Sequence, residues 1–168
     1  MSLPELIELR RADFVTIDTI GMPGQRTFYL QAAQEKTIIT LIIEKEQAAA
    51  LSIAIQTVLE QQGASGTPVE TPDMNLIHPI EALFRVGGLR LNYDRVEQML
   101  VIIAEELTEE AHSSRVRIWI DHSLMAALAR QAAITVAAGR PICPLCNEPI
   151  NPGEEHVCVK GNGRKHLM

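Results

Sequence analysis

The sequence predicts an α+β fold, an antiparallel sheet of about six strands with two helices covering one face. Three observations predict it. Short β-branched runs are separated by Gly, Pro and Asp turns, two stretches switch from period 2 to period 3.6, and the order strand, strand, strand, helix occurs twice.

The first run, ADFVTIDTI at 12–20, is β-branched and apolar, and GMPG at 21–24 turns it into QRTFYLQA at 25–32. Glu35 and Lys36 set off a third strand, TIITLII at 37–43, too β-branched to open a helix. From Glu44 the period changes. Leu51, Ala54, Ile55, Val58 and Leu59 fall at i, i+3, i+4, i+7 and i+8 on a helix that Gly63 ends, and Glu44 and Glu46 suit its positive start.

Residues 63–80 mix Gly, Ser, Thr and Pro without periodicity and form a loop between the halves. ALFRVGGLRLNY at 82–93 is a strand in which Gly87 and Gly88 mark a bulge. Asp94 and Arg95 turn the chain, VEQMLVIIAEEL at 96–107 is a buried strand, and RVRIWI at 115–120 alternates strictly. Asp121 then caps a second helix whose face runs through Leu124, Leu128, Ala132 and Thr135 or Val136, up to Gly139, Arg140 and Pro141. The expected organisation is an α+β domain at 1–140, its halves 12–63 and 82–140 joined by 64–81, with a small tail at 141–168. The matching order of elements suggests one βββα unit used twice.

A net charge of -6 disfavours a nucleic-acid backbone as partner, because phosphate binding needs a clustered positive surface. No stretch approaches the 18 or so apolar residues of a membrane span, and the first residues lack a secretory signal's apolar core. A cytoplasmic protein is expected.

The three cysteines all lie in CPLCNEPINPGEEHVC, 143–158. Cys143 and Cys146 have the spacing that lets two thiolates reach one ion, and His156 and Cys158 point the same way if that stretch is extended. These four donors favour zinc, with His166 the runner-up for the histidine position. A four-ligand site leaves no open position for water, so the zinc is expected to be structural, a knuckle holding the C-terminal segment. The apolar tail residues Pro149, Ile150, Val157 and Val159 suggest docking to another protein.

No serine, histidine and acid arrangement and no glycine-rich phosphate loop stands out. Glu105, Glu106, Glu109 and Glu110 read as a solvated edge rather than a cation site, and His122 beside the cap as a solvent-facing ring. In the GMPGQR turn, Gly21 and Gly24 allow close approach, and Gln25 and Arg26 either face solvent or grip an anion, Arg26 as a bidentate fork.

GMPGQRTFYLQA at 21–32, EKEQ at 44–47, FRVGGLRLNYD at 84–94 and AAGRPICPLCNEPINPGEEHVC at 137–158 together resemble one bacterial family. It is filed as a domain of unknown function, thirty-ninety in that series, and is seen in actinobacteria and chloroflexi. The resemblance implies metal-ligand-type residues at Cys143, Cys146, His156 and Cys158. It also implies shared polar residues at Gln25, Arg26, Gln31, Glu44, Lys45 and Gln47, candidates for an anionic-ligand pocket. Asn147 stands where relatives carry Gly, and it is the residue next best suited to a left-handed turn. Two functions therefore compete: a non-enzymatic, zinc-stabilised interaction module, and a small-molecule binder or enzyme at the GMPGQR hairpin and the EKEQ helix start.

Overall fold

The computed structural model describes residues 5–22, 24–64 and 73–138 in full and the backbone of 156–157 and 165–166. Seven strands form one sheet: β1 (Leu6–Leu9), β2 (Phe14–Ile20), β3 (Thr27–Gln34), β4 (Thr37–Ile43), β5 (Ala82–Asp94), β6 (Met99–Glu106) and β7 (Arg115–Ile120). Helix α1 (Lys45–Gln61) follows β4 and α2 (His122–Ala138) follows β7. A separate antiparallel pair, β8 (His156–Val157) and β9 (Lys165–His166), lies in the C-terminal segment.

The sheet order is β1-β7-β6-β5-β4-β3-β2. Each run of three strands is an antiparallel meander, as its short turns require, but β4 lies parallel to β5 and β1 parallel to β7. The expected six-stranded antiparallel sheet is therefore corrected to a seven-stranded mixed one. The reason is that α1 carries the chain back across the sheet, so β5 sets out in the same direction as β4. Strand β1 goes unpredicted because Glu5, Glu8, Arg10 and Arg11 leave LIEL without a sustained apolar pattern.

Between β1 and β2, Ala12 N–H donates to the Trp119 carbonyl at 2.9 Å and Asp13 N–H to the Ala33 carbonyl at 2.8 Å. These two short bonds tie the opposite edges of the sheet, β1 and β2, through four residues of chain, so the sheet curls.

Both helices bury their stripes on one face. Leu51, Ile55 and Leu59 of α1 and Met125, Leu128 and Ala132 of α2 share a core with Leu30, Leu41 and Ile43 of the first meander and Leu100, Ile102, Ile118 and Ile120 of the second. The helices also meet each other, Ser52 Oγ donating to the Ala129 carbonyl at 2.7 Å. Helix α2 is capped as read from sequence, Asp121 Oδ1 accepting Leu124 N–H at 2.9 Å, and at the start of α1 Gln47 Oε1 accepts Glu44 N–H at 2.8 Å. Gly63 ends α1 at φ +66. The expected bulge in β5 lies between Val86 and Gly88, where a Cβ on Gly87 would come within 2.9 Å of Leu107 Cα. The expected strand at 96–107 begins only at Met99, because Asp94 Oδ1 binds the N–H groups of Val96 and Glu97 and Gln98 turns at φ +56.

The opposite face is covered in part by residues 73–80. Thr16 Oγ1 donates to the Met74 carbonyl at 2.7 Å, and the Gln31 amide holds Ile77. On β6 and β7, Met99, Val101 and Trp119 form a small cluster, with the Arg10 guanidinium 4.5 Å from the Trp119 ring centre. Among the described residues no helix is long and apolar enough to cross a membrane.

Candidate functional site

The β2–β3 turn needs its glycines. Gly21 sits at φ +116, where a Cβ would lie 2.7 Å from the Gln25 carbonyl oxygen, and Gly24 at φ +88. The tight turn delivers Arg26 to the start of β3 on the helix-bearing side, since Arg26, Phe28 and Leu30 alternate on one face. Arg26 Nη1 donates to the Thr135 carbonyl at 3.0 Å and to Thr19 Oγ1 at 3.3 Å, and the guanidinium carbon lies 4.8 Å from the Phe28 ring centre. Thr135 is in the last turn of α2, which holds no basic residue of its own. Arg26 therefore supplies a cation to that negative helix end and is held in place by it. Among the described residues its hydrogen bonds run through Nη1 alone.

From the other side comes the β4–α1 junction. Glu44 Oε1 accepts Arg85 Nη1 at 2.8 Å, both side chains being about half exposed, and Lys45 makes no ion pair among the described residues. Arg85 arrives through the parallel β4–β5 pairing, opposite Ile42. Gly24, Arg26 and Phe28 on one wall, Ile43, Glu44 and Lys45 on the other, and Arg85 at the end line a cleft of ≈ 330 Å³. That volume lies in the range of small-molecule sites. Three cations stand against one carboxylate, in a chain whose net charge is -6.

Of the residues picked from sequence, Arg26, Glu44 and Lys45 meet in this cleft. Gln47 lies next to it, bonded to Glu44 N–H and, at 3.4 Å, to the Val86 carbonyl. Gln25 stays in the turn, its N–H on the Met22 carbonyl at 2.9 Å. Gln31 lies elsewhere, because an odd position in β3 faces the opposite side of the sheet from Arg26. It is wholly buried there, Nε2 donating to Thr40 Oγ1 and the Ile77 carbonyl, both at 3.0 Å, and Oε1 accepting Ile77 N–H at 2.7 Å. Arg85 and Phe28 were missed. Only the family-like stretches FRVGG and QRTFYL around them signalled either one.

His122 is half-buried rather than solvent-facing, its Nε2 sharing a 2.6 Å hydrogen bond with the Tyr93 hydroxyl. Burial, and then the Asp94 charge, push the Tyr93 phenol above its usual range, so it stays protonated. Glu105 pairs with Arg90 at 2.8 Å and Arg115 at 3.1 Å, while Glu106 Oε1 accepts Ser114 N–H. Glu105 and Glu106 are thus taken up by arginine and backbone. Among the described residues no group of three or more His, Cys, Asp or Glu is placed to hold a metal. Cys143, Cys146 and Cys158 lie outside the described residues, and His156 is described only as backbone, paired with His166 in the β8–β9 ladder.

Residues 7–158 match a family model described as Protein of unknown function (DUF3090). No curated protein and no solved structure matches the chain.

Proposed function

The chain belongs to this family of unknown function, and from the cleft between the β2–β3 turn and the start of α1 we propose that it binds a small anionic ligand there. The observation that carries the reading is the surplus of positive charge around the ≈ 330 Å³ cleft, Arg26, Lys45 and Arg85 against Glu44. A carboxylate or phosphate would take the Arg26 fork from one side and the Lys45 ammonium from the other. The Glu44–Arg85 pair is exposed and so worth little, which lets an incoming anion displace the carboxylate from Arg85 at small cost.

Calorimetry with inorganic phosphate at low ionic strength tests this. Saturable binding is expected, weakening as salt is raised and falling about tenfold in Lys45→Ala. Arg26→Ala is a poorer probe because it also strips the end of α2. No binding at low salt, or binding indifferent to Lys45→Ala and Arg85→Ala together, overturns the reading.

For the segment 141–168 we propose a small appended tail in which Cys143, Cys146, His156 and Cys158 hold one structural zinc. Three thiolates and an imidazole suit that ion, and the clustering of every cysteine of the chain within this segment supports it. When bound, the metal would supply folding energy to a segment with little apolar content, on the scale of roughly 10 to 16 kcal/mol seen in small zinc peptides. Purified protein is expected to carry about one equivalent of zinc, and chelation to expose 141–158 to protease. Well under one equivalent, with proteolysis unchanged by chelator, ends the proposal. A tail so ordered could dock another cytoplasmic protein, a reading that requires the captured partner to depend on zinc.

The remainder, 1–140, we take as two copies of one βββα unit, 12–63 and 82–140. Supporting this, each meander is followed by a helix in the same way, and Ser52 and Ala129, which touch, are both the eighth residue of their helices.

A further inference from the structure

Arg26 is held in a way that the other two cations of the cleft are not. Arg85 gives its Nη1 to the Glu44 carboxylate at 2.8 Å, and Lys45 makes no ion pair among the described residues. Arg26 has three partners there, and none carries a full charge. Nη1 donates to the Thr135 carbonyl at 3.0 Å and to Thr19 Oγ1 at 3.3 Å, and the guanidinium carbon stands 4.8 Å from the centre of the Phe28 ring. These partners come from three elements. Phe28 lies two residues on from Arg26 on the same side of the chain, Thr19 is the β2 residue paired with Phe28, and Thr135 is in the last turn of α2.

A carboxylate partner fixes an arginine but also cancels its charge. A carbonyl, a hydroxyl and a ring face fix it and leave most of the charge for an incoming anion. Fixing matters because a long side chain that is loose beforehand gives up its rotamer freedom on binding, and affinity falls by that cost. Phe28 is itself immobile, being 6 % exposed in the core while it lines the cleft, so its ring is a firm base for the guanidinium. We infer that Phe28 and Thr19 are positioning residues of the anion site. They hold the Arg26 guanidinium in one place with its charge unspent, so that an anion entering the cleft meets an arginine already set. The inference rests on the anion-binding reading of the cleft and adds to it two side chains that set its affinity without carrying a charge.

Calorimetry of the full-length protein with inorganic phosphate at low ionic strength tests this, with unfolding followed in the same buffer. Thr19→Val removes the hydroxyl acceptor and keeps the side-chain shape, and Phe28→Leu removes the ring face. Each is expected to weaken phosphate binding about fivefold, the scale of freezing one long side chain. Thr19→Ser restores the hydroxyl and should bind within about twofold of the unaltered protein. Arg26→Lys keeps the charge but not the planar group that stacks, so adding Thr19→Val or Phe28→Leu to it should change binding by less than about twofold. If the unaltered protein binds phosphate and both single variants bind it equally well, the positioning role is overturned and the anion site stands. A further loss of about fivefold in the Arg26→Lys background also overturns it, because the residue then shapes the cleft directly and not through Arg26. No phosphate binding by the unaltered protein overturns both. Should Phe28→Leu fail to fold, the contrast between Thr19→Val and Thr19→Ser, at a half-buried position, decides alone.

Discussion

Replacing Gln31 by leucine should destabilise the protein by about 2 to 4 kcal/mol, the scale for leaving buried polar groups unpaired. Leucine roughly keeps the volume of the side chain but removes all three of its hydrogen bonds. The Ile77 N–H and carbonyl then lose their partner, and the Thr40 hydroxyl, in a residue only 3 % exposed, loses its donor. Denaturant unfolding gives the loss directly. Hydrogen exchange locates it, because the Ile77 amide should lose protection before the core strands do. A change under about 0.5 kcal/mol, the scatter of ordinary surface substitutions, would mean that residues 73–80 are held by something other than this amide.

Leu128→Ala should cost about 2 to 5 kcal/mol, the largest effect expected of a single truncation here. Leu128 is fully buried on α2, in the core shared with the strands and with Leu51 and Ile55 of α1. The lost methyl groups forfeit their transfer energy, and the cavity adds to it because strands and helices on every side restrict collapse. With a total stability of roughly 5 to 15 kcal/mol for an ordinary domain, that is a large fraction. The denaturation midpoint should fall with little change in slope. Ile134→Ala, on the same helix but half exposed, should stay within about 0.5 kcal/mol. Equal losses at the two positions would contradict the placement of the core.

The elements themselves were largely legible. The i, i+3, i+4 stripe from Leu51 to Leu59 and the alternation of RVRIWI are local patterns, and local patterns decide helix from strand before any tertiary contact forms. Gly63, Gly87 and Asp121 were equally legible, because a left-handed cap, a bulge and an N-cap each demand a particular residue type. Strand β1 was not. It is an edge strand ordered by its pairing with β7, more than a hundred residues away, and nothing within LIEL announces that partner.

The candidate site was half legible. Arg26, Glu44 and Lys45 stand beside glycines and a helix start, features that advertise themselves. Gln31 looked equivalent to them in sequence, yet its register in β3 sends it to the other face and into a structural role. Arg85 looked unremarkable and proved to close the cleft, because the β4–β5 pairing is a long-range choice.

By itself, then, the sequence determined the α+β class, the sites of its caps and bulge, the helical faces that become core, and the clustering of soft metal donors at the C-terminus. Each of these follows from spacing within a few residues. Only the tertiary structure decided that the sheet is mixed and curled, and that three cations converge on one cleft. Those properties arise between separate elements of the chain, where chain crossover and strand register, rather than local periodicity, set which side chains meet.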